Sequence, residues 1–299
     1  MCSKGDYCMG FGDRYDANRV YSAYDFNALY PYLMKRRNDS IVLFSEIMNA
    51  EPLLEYLQKK KEEGKPVTFF QMLMLAMIRV MRERPSLNRY VIGRRIYQRK
   101  AIDVSFVAKR DMSDEAEETV VNIRVKDGEP FENIVGKITG GIQSAKEGAA
   151  KEDDKLISIF MRLPRCVLRT FLRMIEWYDF YFDTPKFLRD VDPLRCSAFI
   201  ANLGSVGIEA PYHHLYEWGT CSLFVAVGRV KPTPYVTEDG AVAAQKMVEI
   251  KMSLDERIAD GFYFARSLDL FKHYIQNPQL LESGDDAGVK TQSESTVRV

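Results

Sequence analysis

Two short segments decide the fold: SAFIANLGSVGIEA at residues 197–210 and SLDERIADG at residues 253–261. The first opens with small and apolar side chains that predict a strand, and it continues into a glycine-containing loop. The second ends a strand predicted over residues 245–254 and stops at Gly261, where a helix predicted over residues 261–276 begins. An Asp-Gly pair alone is too common to identify a fold, so the two segments gain meaning only together with the rest of the chain.

The rest of the chain predicts a sheet covered by helices. Further strands are predicted over residues 40–49, 102–110, 119–126, 197–201 and 223–229. Further helices are predicted over residues 22–37, 51–63, 69–83 and 131–150. Because helices come early and between the strands, and because neighbouring strands form antiparallel-looking pairs, we expect an α/β fold with a mixed β-sheet.

The order and spacing of these motifs resemble the catalytic domain of the 2-oxo acid dehydrogenase dihydrolipoyl acyltransferases, relatives of chloramphenicol acetyltransferase. That family shows F-T-I-S-N-L-G, then a strand ending in G-V-G-R, then D-H-R-x-x-D-G at the start of the last helix. Matching residues here are Phe199, Ile200, Asn202, Leu203, Gly204, Gly228, Arg229, Asp255, Arg257, Asp260 and Gly261. The likeness covers about residues 20–280, except residues 156–189. It implies a chloramphenicol acetyltransferase-like two-layer sandwich.

The resemblance also implies an active site in a tunnel between neighbouring subunits of a homotrimer. In the family, the motif histidine is the general base toward the thiol of CoA or dihydrolipoamide, and the motif aspartate fixes local structure through a salt bridge. Carried over, that aspartate is Asp260. Asn202, Gly204 and Arg257 are then expected at the cosubstrate site. CoA or acyl-CoA is the implied cosubstrate, with no permanently bound cofactor.

Two positions depart from the family pattern. Glu256 stands at the histidine position, and Ala201 stands where the family has the Ser or Thr that hydrogen-bonds the oxyanion. A carboxylate of ordinary pKa is a poorer base than an imidazole by about 3 kcal/mol, and burial that raises its pKa narrows that difference. Loss of an oxyanion donor raises the barrier by about 3 to 4 kcal/mol unless a backbone N–H replaces it.

A histidine doublet offers a replacement for the missing base. The chain has three histidines, and two of them, His213 and His214, follow the Asn-Leu-Gly loop in PYHHLYEWG. Either imidazole is a candidate general base. The alternative is that both rings hydrogen-bond within a turn or pack at a trimer contact. Glu256 is the third candidate, and its alternative role is a salt bridge to a neighbouring Arg or Lys.

A basic, apolar stretch lies outside the resemblance, at residues 156–182. Its apolar side chains recur at helical spacing, with Arg162, Arg165, Arg169 and Arg173 flanking them. One interpretation is a pair of helices packed on the domain or at a subunit interface. The other is a surface that rests on an anionic membrane or in a partner groove, although Pro164 divides the pattern.

Composition excludes several classes of protein. The 299 residues carry 42 Lys+Arg against 42 Asp+Glu, so no bulk charge attracts nucleic acid. Five cysteines without a C-x-x-C pair indicate reduced thiols and a cytoplasmic protein. Cys196, Cys221 and the histidine doublet lack the spacing of metal ligands, so we expect no metal site. No signal peptide or uncharged window of about 18 residues occurs.

The expected organisation is one catalytic domain with short ends. Residues 1–19 are interpreted as an N-terminal arm, residues 20–282 as an acyltransferase-like domain with a helical insertion at 156–190, and residues 283–299 as a disordered tail. In the resembled family a lipoyl domain precedes the catalytic core. We expect no lipoyl domain in this chain and therefore a stand-alone protein.

Two hypotheses about function follow. The first is a CoA-dependent acyltransferase that moves an acyl group between acyl-CoA and an unknown small acceptor, with His213, His214 or Glu256 as the base. The second is a catalytically degenerate protein of the same fold that binds CoA or a protein partner.

Overall fold

The computed structural model of the protein describes residues 12–21, 26–109, 118–147, 162–237 and 239–282. In these ranges the strands are β1 (Ala17–Arg19), β2 (Ile41–Asn49), β3 (Arg89–Ile92), β4 (Arg95–Arg99), β5 (Ile102–Lys109), β6 (Glu118–Val125), β7 (Ala198–Asn202), β8 (Leu223–Val236) and β9 (Val242–Asp255). The helices are α1 (Tyr30–Leu33), α2 (Glu51–Glu62), α3 (Phe69–Glu83), α4 (Phe131–Lys146), α5 (Arg165–Tyr181), α6 (Lys186–Val191) and α7 (Gly261–Gln276).

A six-stranded mixed sheet organises the molecule, in the order β2-β9-β8-β7-β5-β6. β7 runs parallel to both β5 and β8, whereas the other neighbours are antiparallel. A second, three-stranded sheet has the order β1-β4-β3. The predicted α/β class with a mixed sheet is confirmed, as is the predicted antiparallel pairing of β5 with β6.

One face of the large sheet is covered by a helical layer whose central member is α3. Eleven consecutive residues of this helix, from Gln71 to Met81, are buried. The helix begins where the sequence predicts, because Thr68 and Gln71 form a capping box in which each side chain accepts a hydrogen bond from the other residue's backbone N–H. Its apolar residues join those of α2, α4, α7 and the sheet in one core.

The helix predicted over residues 22–37 is wrong in the part that the structure describes. A 3₁₀ turn at Phe26–Leu29 is followed by the four-residue α1, after which Met34 is extended. The apolar face that suggested a helix is not buried, since Leu29 is 50% exposed and Tyr32 is 53% exposed. Without packing, such a short helix gains little stability, and it does not extend further.

Strands β3 and β4 were not predicted, although their sequence carries a hairpin signal. The two residues between them, Gly93 and Arg94, both have positive φ angles, 58° and 59°. That geometry fits a two-residue hairpin turn, whose twist suits the flanking strands. β1 pairs with β4, so the described end of the segment interpreted as an N-terminal arm belongs to this small sheet.

The insertion outside the resemblance contains α5 and α6. Pro164 lies at the N-cap of α5, so the division expected at this proline becomes the start of a continuous helix of 17 residues. The earlier helix predicted from residue 156, and the predicted disordered tail at 283–299, lie outside the described residues. Within the described ranges, no helix is long and apolar enough to cross a membrane.

Candidate active site

A glycine contact fixes the loop that follows β7. Asn202 ends the strand, and a 3₁₀ turn at Leu203–Val206 brings Gly204 against β8. A Cβ atom at Gly204 would lie 2.5 Å from the carbonyl oxygen of Gly228, and one at Gly228 would lie 2.8 Å from the backbone nitrogen of Ala210. The loop, β8 and the segment at Ala210 therefore meet backbone to backbone, which explains both motif glycines.

A buried ion pair holds the second motif at the end of β9. The Asp255 carboxylate is 0% exposed. It accepts hydrogen bonds from Arg257 Nε at 2.8 Å, Arg257 Nη2 at 2.7 Å and Ser40 Oγ at 2.9 Å. Arg37 Nε lies 3.7 Å from the same carboxylate. Residue 256 is therefore flanked on both sides by a fixed, buried pair.

Arg37 extends this network to the loop that follows the histidines. It donates hydrogen bonds to the carbonyl oxygens of Tyr216 at 2.7 Å and Gly219 at 3.0 Å. Its backbone N–H and that of Asn38 donate to Glu217. Burial lowers the pKa of Arg37, and the adjacent Asp255 carboxylate opposes that effect. The network couples the residue 216–219 loop to the second motif.

Asp260, the motif aspartate, lies outside the buried network around Asp255. Its side chain is exposed and caps α7 by accepting a hydrogen bond from the Tyr263 N–H at 2.8 Å. A buried salt bridge at this motif joins Asp255 to Arg257, and the salt bridge that the resemblance implies for Asp260 stays a prediction. Arg257, expected at the cosubstrate site, is 4% exposed and is occupied by Asp255 and by the carbonyl oxygen of Met34.

The two departures from the family pattern lie far apart in one chain. Ala201 is partly buried in β7 and pairs with Ala226, which in turn pairs with Lys251. Glu256, partly exposed, lies five residues beyond Lys251 at the end of β9. At 3.3 Å per residue, this separates the two positions by roughly 16 Å along the strand direction. They cannot act on one substrate atom within a single chain.

His213 is held in a defined orientation. Its ring stacks on Phe224, with centroids 3.8 Å apart and planes 5° from parallel. Its Nδ1 lies 2.7 Å from the carbonyl oxygen of His214. The hydroxyl of Ser253 donates a hydrogen bond to the carbonyl oxygen of His213. Burial lowers the pKa of His213. A neutral ring whose Nδ1–H donates to a carbonyl presents Nε2 as its acceptor, which is the form a general base requires.

His214 is exposed and less constrained. Its ring stacks on that of His213 at 4.7 Å between centroids, and its Nδ1 lies 3.2 Å from the carbonyl oxygen of Leu215. Among the described residues, no hydrogen bond or ion pair joins either imidazole to Glu256. The doublet therefore forms a stack on the sheet rather than a contact with the second motif.

The His213 ring lies on the same sheet face as Ala201. Phe224 pairs with Phe199, and Ala201 is two residues further along β7. Phe199, Ala201 and Phe224 belong to one apolar cluster, because alternate residues of a strand share a face. The ring is thus about 7 Å along the strand from the position at which the family has its oxyanion donor.

Sequence reasoning missed the residues that support these candidates. Ser40 and Phe224 lie outside both motifs, and Ser40 is 215 residues from Asp255. Ser253 begins the second motif, but nothing in the motif indicates its hydrogen bond to the His213 carbonyl oxygen. Arg37 ends a basic run, Lys35-Arg36-Arg37, that by itself indicates no partner. Cys196 and Cys221 are buried in the cluster below His213. Across the ranges described, no group of three or more His, Cys, Asp or Glu side chains could hold a metal ion.

Comparison with solved structures identifies the fold. The cubic core of the pyruvate dehydrogenase multienzyme complex matches with a TM-score of 0.57 and 14% identity, over 85% of this chain and 87% of that one. Chloramphenicol acetyltransferase matches with a TM-score of 0.51 and 11% identity, over 87% of this chain and 98% of that one. The fold is chloramphenicol acetyltransferase-like. The resemblance inferred from the motifs is confirmed at this level.

Sequence comparison finds a family match in the part of this chloramphenicol acetyltransferase-like chain that holds both motifs. Residues 194–282 match the family model described as 2-oxoacid dehydrogenases acyltransferase (catalytic domain). The chain is also 25% identical over 228 residues to the lipoamide acyltransferase component of the branched-chain alpha-keto acid dehydrogenase complex of Bacillus subtilis. That match covers 76% of this chain and 42% of the bacterial protein, so the chain spans less than half the length of this relative.

Proposed function

We propose that the protein is a CoA-dependent acyltransferase of the 2-oxoacid dehydrogenase acyltransferase type, which moves an acyl group between acyl-CoA and a small acceptor. The proposal rests on the contacts that hold both matched motifs in place. The Gly204 loop is closed against Gly228, and the second motif is fixed by the buried Asp255–Arg257 pair. The backbone around the candidate site is thus held in place by close contacts, although Ala201 and Glu256 differ from the reacting side chains of the family.

His213 is the proposed general base. The ring is partly buried, burial lowers its pKa, and the contact with the His214 carbonyl leaves Nε2 free to accept a proton. Glu256 is a weaker candidate because a carboxylate is in general a weaker base than an imidazole toward a thiol or hydroxyl. His214 supports the orientation of His213 through the stacked rings.

The reaction needs no residue that the chain lacks. His213 Nε2 takes the proton of the acceptor's thiol, hydroxyl or amine while that atom attacks the thioester carbonyl of acyl-CoA. The tetrahedral oxyanion collapses, the C–S bond breaks, and the CoA thiolate leaves and takes up the proton from His213. Because Ala201 has no hydroxyl, the oxyanion must be stabilised by a backbone N–H near the Asn202–Gly204 loop.

Asn202 and Gly204 are proposed to border the CoA site, whereas Arg257 is a positioning residue. The Arg257 guanidinium is buried and already donates to Asp255 and Met34, so it has little capacity left for a cosubstrate. Asn202 is partly exposed at the end of β7, next to the Gly204 turn. Acyl-CoA is treated as a substrate that diffuses in rather than as a resident cofactor.

A homotrimer with its active site between subunits is part of the proposal. Glu256 lies roughly 16 Å from Ala201 along the strands, so it can reach a substrate held near His213 and Ala201 only from a neighbouring subunit. Large apolar side chains are also exposed near the motifs: Leu43 49%, Ile47 60%, Val206 48%, Ile208 50% and Tyr212 51%. A contact between copies would cover them.

A reducing, cytoplasmic location is proposed from the thiols. Cys166, Cys196 and Cys221 are free in the structure, and the last two are buried without forming a disulfide. Proteins of oxidising compartments keep such neighbouring thiols less often.

The second candidate function is a catalytically degenerate protein of the same fold. Its specific support is the pair of substitutions at Ala201 and Glu256, which removes both reacting side chains of the family pattern. Such a protein would bind CoA, or a protein partner, without releasing CoA from a thioester.

A thiol-release assay separates the two functions. The purified protein is incubated with a panel of acyl-CoAs and with thiol, amine and alcohol acceptors, and free CoA is measured. We expect turnover that falls at least 100-fold in His213→Ala and less than threefold in His214→Ala and Glu256→Gln. Unchanged activity in all three variants would refute the assignment of the base. Absence of turnover together with measurable CoA binding by calorimetry would establish the degenerate protein instead.

A further inference from the structure

Helix α5 leaves nearly all of its side chains in solvent. It has 17 residues, and the one buried side chain among them is Ile175. Its exposed residues include large apolar and aromatic side chains: Val167 48%, Met174 63%, Trp177 61%, Tyr178 41% and Tyr181 55%. At 3.6 residues per turn these five occupy one arc of about 100°. An apolar strip of this size on a surface helix indicates a contact surface.

A basic strip runs beside the apolar one. Arg165, Arg169 and Arg173 are exposed and fall within an arc of about 80° next to the aromatic side chains. Arg162, also exposed, precedes the helix. In the described ranges, no ion pair neutralises these four guanidinium groups. Since the whole chain has a formal charge of zero, this positive charge is a local property of α5.

The helix is held rigidly at its C-terminal end. The Asp179 carboxylate forms salt bridges with Arg14 Nη1 and Arg195 Nη2, each at 2.7 Å. The carbonyl oxygen of Phe180 lies directly against Gly93 in the β3–β4 turn. The carboxylate of Asp179 is compensated by two buried arginines. The remaining carboxylate between Arg165 and Tyr181 is that of Glu176, which is exposed and falls within the arc of the basic strip, so the three arginines of α5 exceed the acidic charge there by two. The apolar and basic strips are therefore presented in a fixed orientation.

We propose that α5 rests in the plane of an anionic lipid surface. Trp177, Tyr178 and Tyr181 would lie at headgroup depth, where aromatic side chains with a polar atom are favoured, and the arginines would contact lipid phosphates. The helix is about 25 Å long and lies flat, since the described residues contain no helix that could cross a bilayer. This inference does not depend on the acyltransferase activity.

An anionic membrane fits these strips better than a second copy of the chain. Pairing α5 with α5 of another copy would bring two arginine strips together, and like charges in an interface weaken binding. A membrane supplies phosphates for every arginine and an apolar layer for the aromatic strip at the same time.

Vesicle co-sedimentation tests the proposal on the full chain. Vesicles of equal parts phosphatidylglycerol and phosphatidylcholine are expected to bind the protein, and vesicles of phosphatidylcholine alone to bind it at least tenfold less. Arg165→Gln, Arg169→Gln and Arg173→Gln together are expected to reduce binding about 100-fold, at roughly fivefold for each charge. The triple variant Lys59→Gln, Lys61→Gln and Lys65→Gln is the matched control, because it removes three exposed positive charges on and after α2 rather than on α5. Vesicle binding by this control should fall less than threefold.

Tryptophan fluorescence adds a readout of depth. The chain has two tryptophans, so a Trp218→Phe variant leaves Trp177 as the single reporter. Its emission should shift to the blue with anionic vesicles and be quenched by brominated lipid. Absence of binding to anionic vesicles at low salt, or equal loss in the two triple variants, would overturn the proposal. A smaller oligomer in sedimentation velocity for Trp177→Ser would also overturn it, because a second copy would then cover this face.

Discussion

Removing the charge of Asp255 should destabilise the protein strongly. In Asp255→Asn the shape of the side chain is kept, but two guanidinium groups that are each 4% exposed, those of Arg37 and Arg257, lose their shared counter-charge. Removing one partner of a buried ion pair costs about 3 to 5 kcal/mol, since the remaining charge stays buried without compensation. The measurement is urea denaturation followed by far-ultraviolet circular dichroism, at one fixed protein concentration because assembly adds to stability.

A surface ion pair provides the matched control. Lys272 Nζ lies 2.6 Å from Glu46 Oε2, with side chains 32% and 27% exposed. Glu46→Gln should lower the free energy of unfolding by less than about 1 kcal/mol. The assignment of Asp255 as the organiser of the second motif would be refuted if Asp255→Asn and Glu46→Gln destabilised the protein equally.

Two further predictions concern pH and backbone contact. Because burial lowers the pKa of His213, its imidazole should stay neutral at pH values below the ordinary pKa of 6.5. The acid limb of the pH profile of kcat/KM should therefore have its midpoint below pH 6.5. A midpoint above pH 6.5 would contradict the assignment of His213 as the base. Gly204→Ala should destabilise the protein by about 1 to 3 kcal/mol, because its Cβ would lie 2.5 Å from the Gly228 carbonyl oxygen. Gly136→Ala in α4, where the Cβ meets nothing within 4 Å, should stabilise the protein by about 0.5 to 1 kcal/mol in the same urea denaturation. Equal effects of the two substitutions would argue against the close contact at Gly204.

Much of the fold is readable from local patterns. The Thr68 cap and the apolar pattern of α3 agree with its observed start. Helix α7 begins and ends at the predicted residues, because Asp260 caps it and its buried face has helical spacing. β5 and β6 alternate in a way that fixes their pairing. In these elements the local preference and the tertiary packing favour the same structure.

Predictions failed where packing between distant residues decides the outcome. The stretch around Leu29 and Tyr32 has helical spacing, but both side chains are exposed. By contrast, β3 and β4 are short strands stabilised by each other and by β1. For the site, the motifs locate Ala201 and Glu256, but the orientation of His213 depends on Phe224 and Ser253. A ring stack, or a hydrogen bond to a carbonyl, between residues that are tens of positions apart leaves no pattern in the local sequence.

The pairing of β2 with β9 has a consequence for how the protein is made. Ile41 pairs with Asp255, so β2 finds its sheet neighbour only after residues 50–241 have been synthesised. At 5 to 20 residues per second, β2 waits roughly 10 to 40 s on the ribosome with neither edge paired. The second motif follows Ala201 and His213 in the chain, so the candidate site is complete only after residues 253–261 have been synthesised.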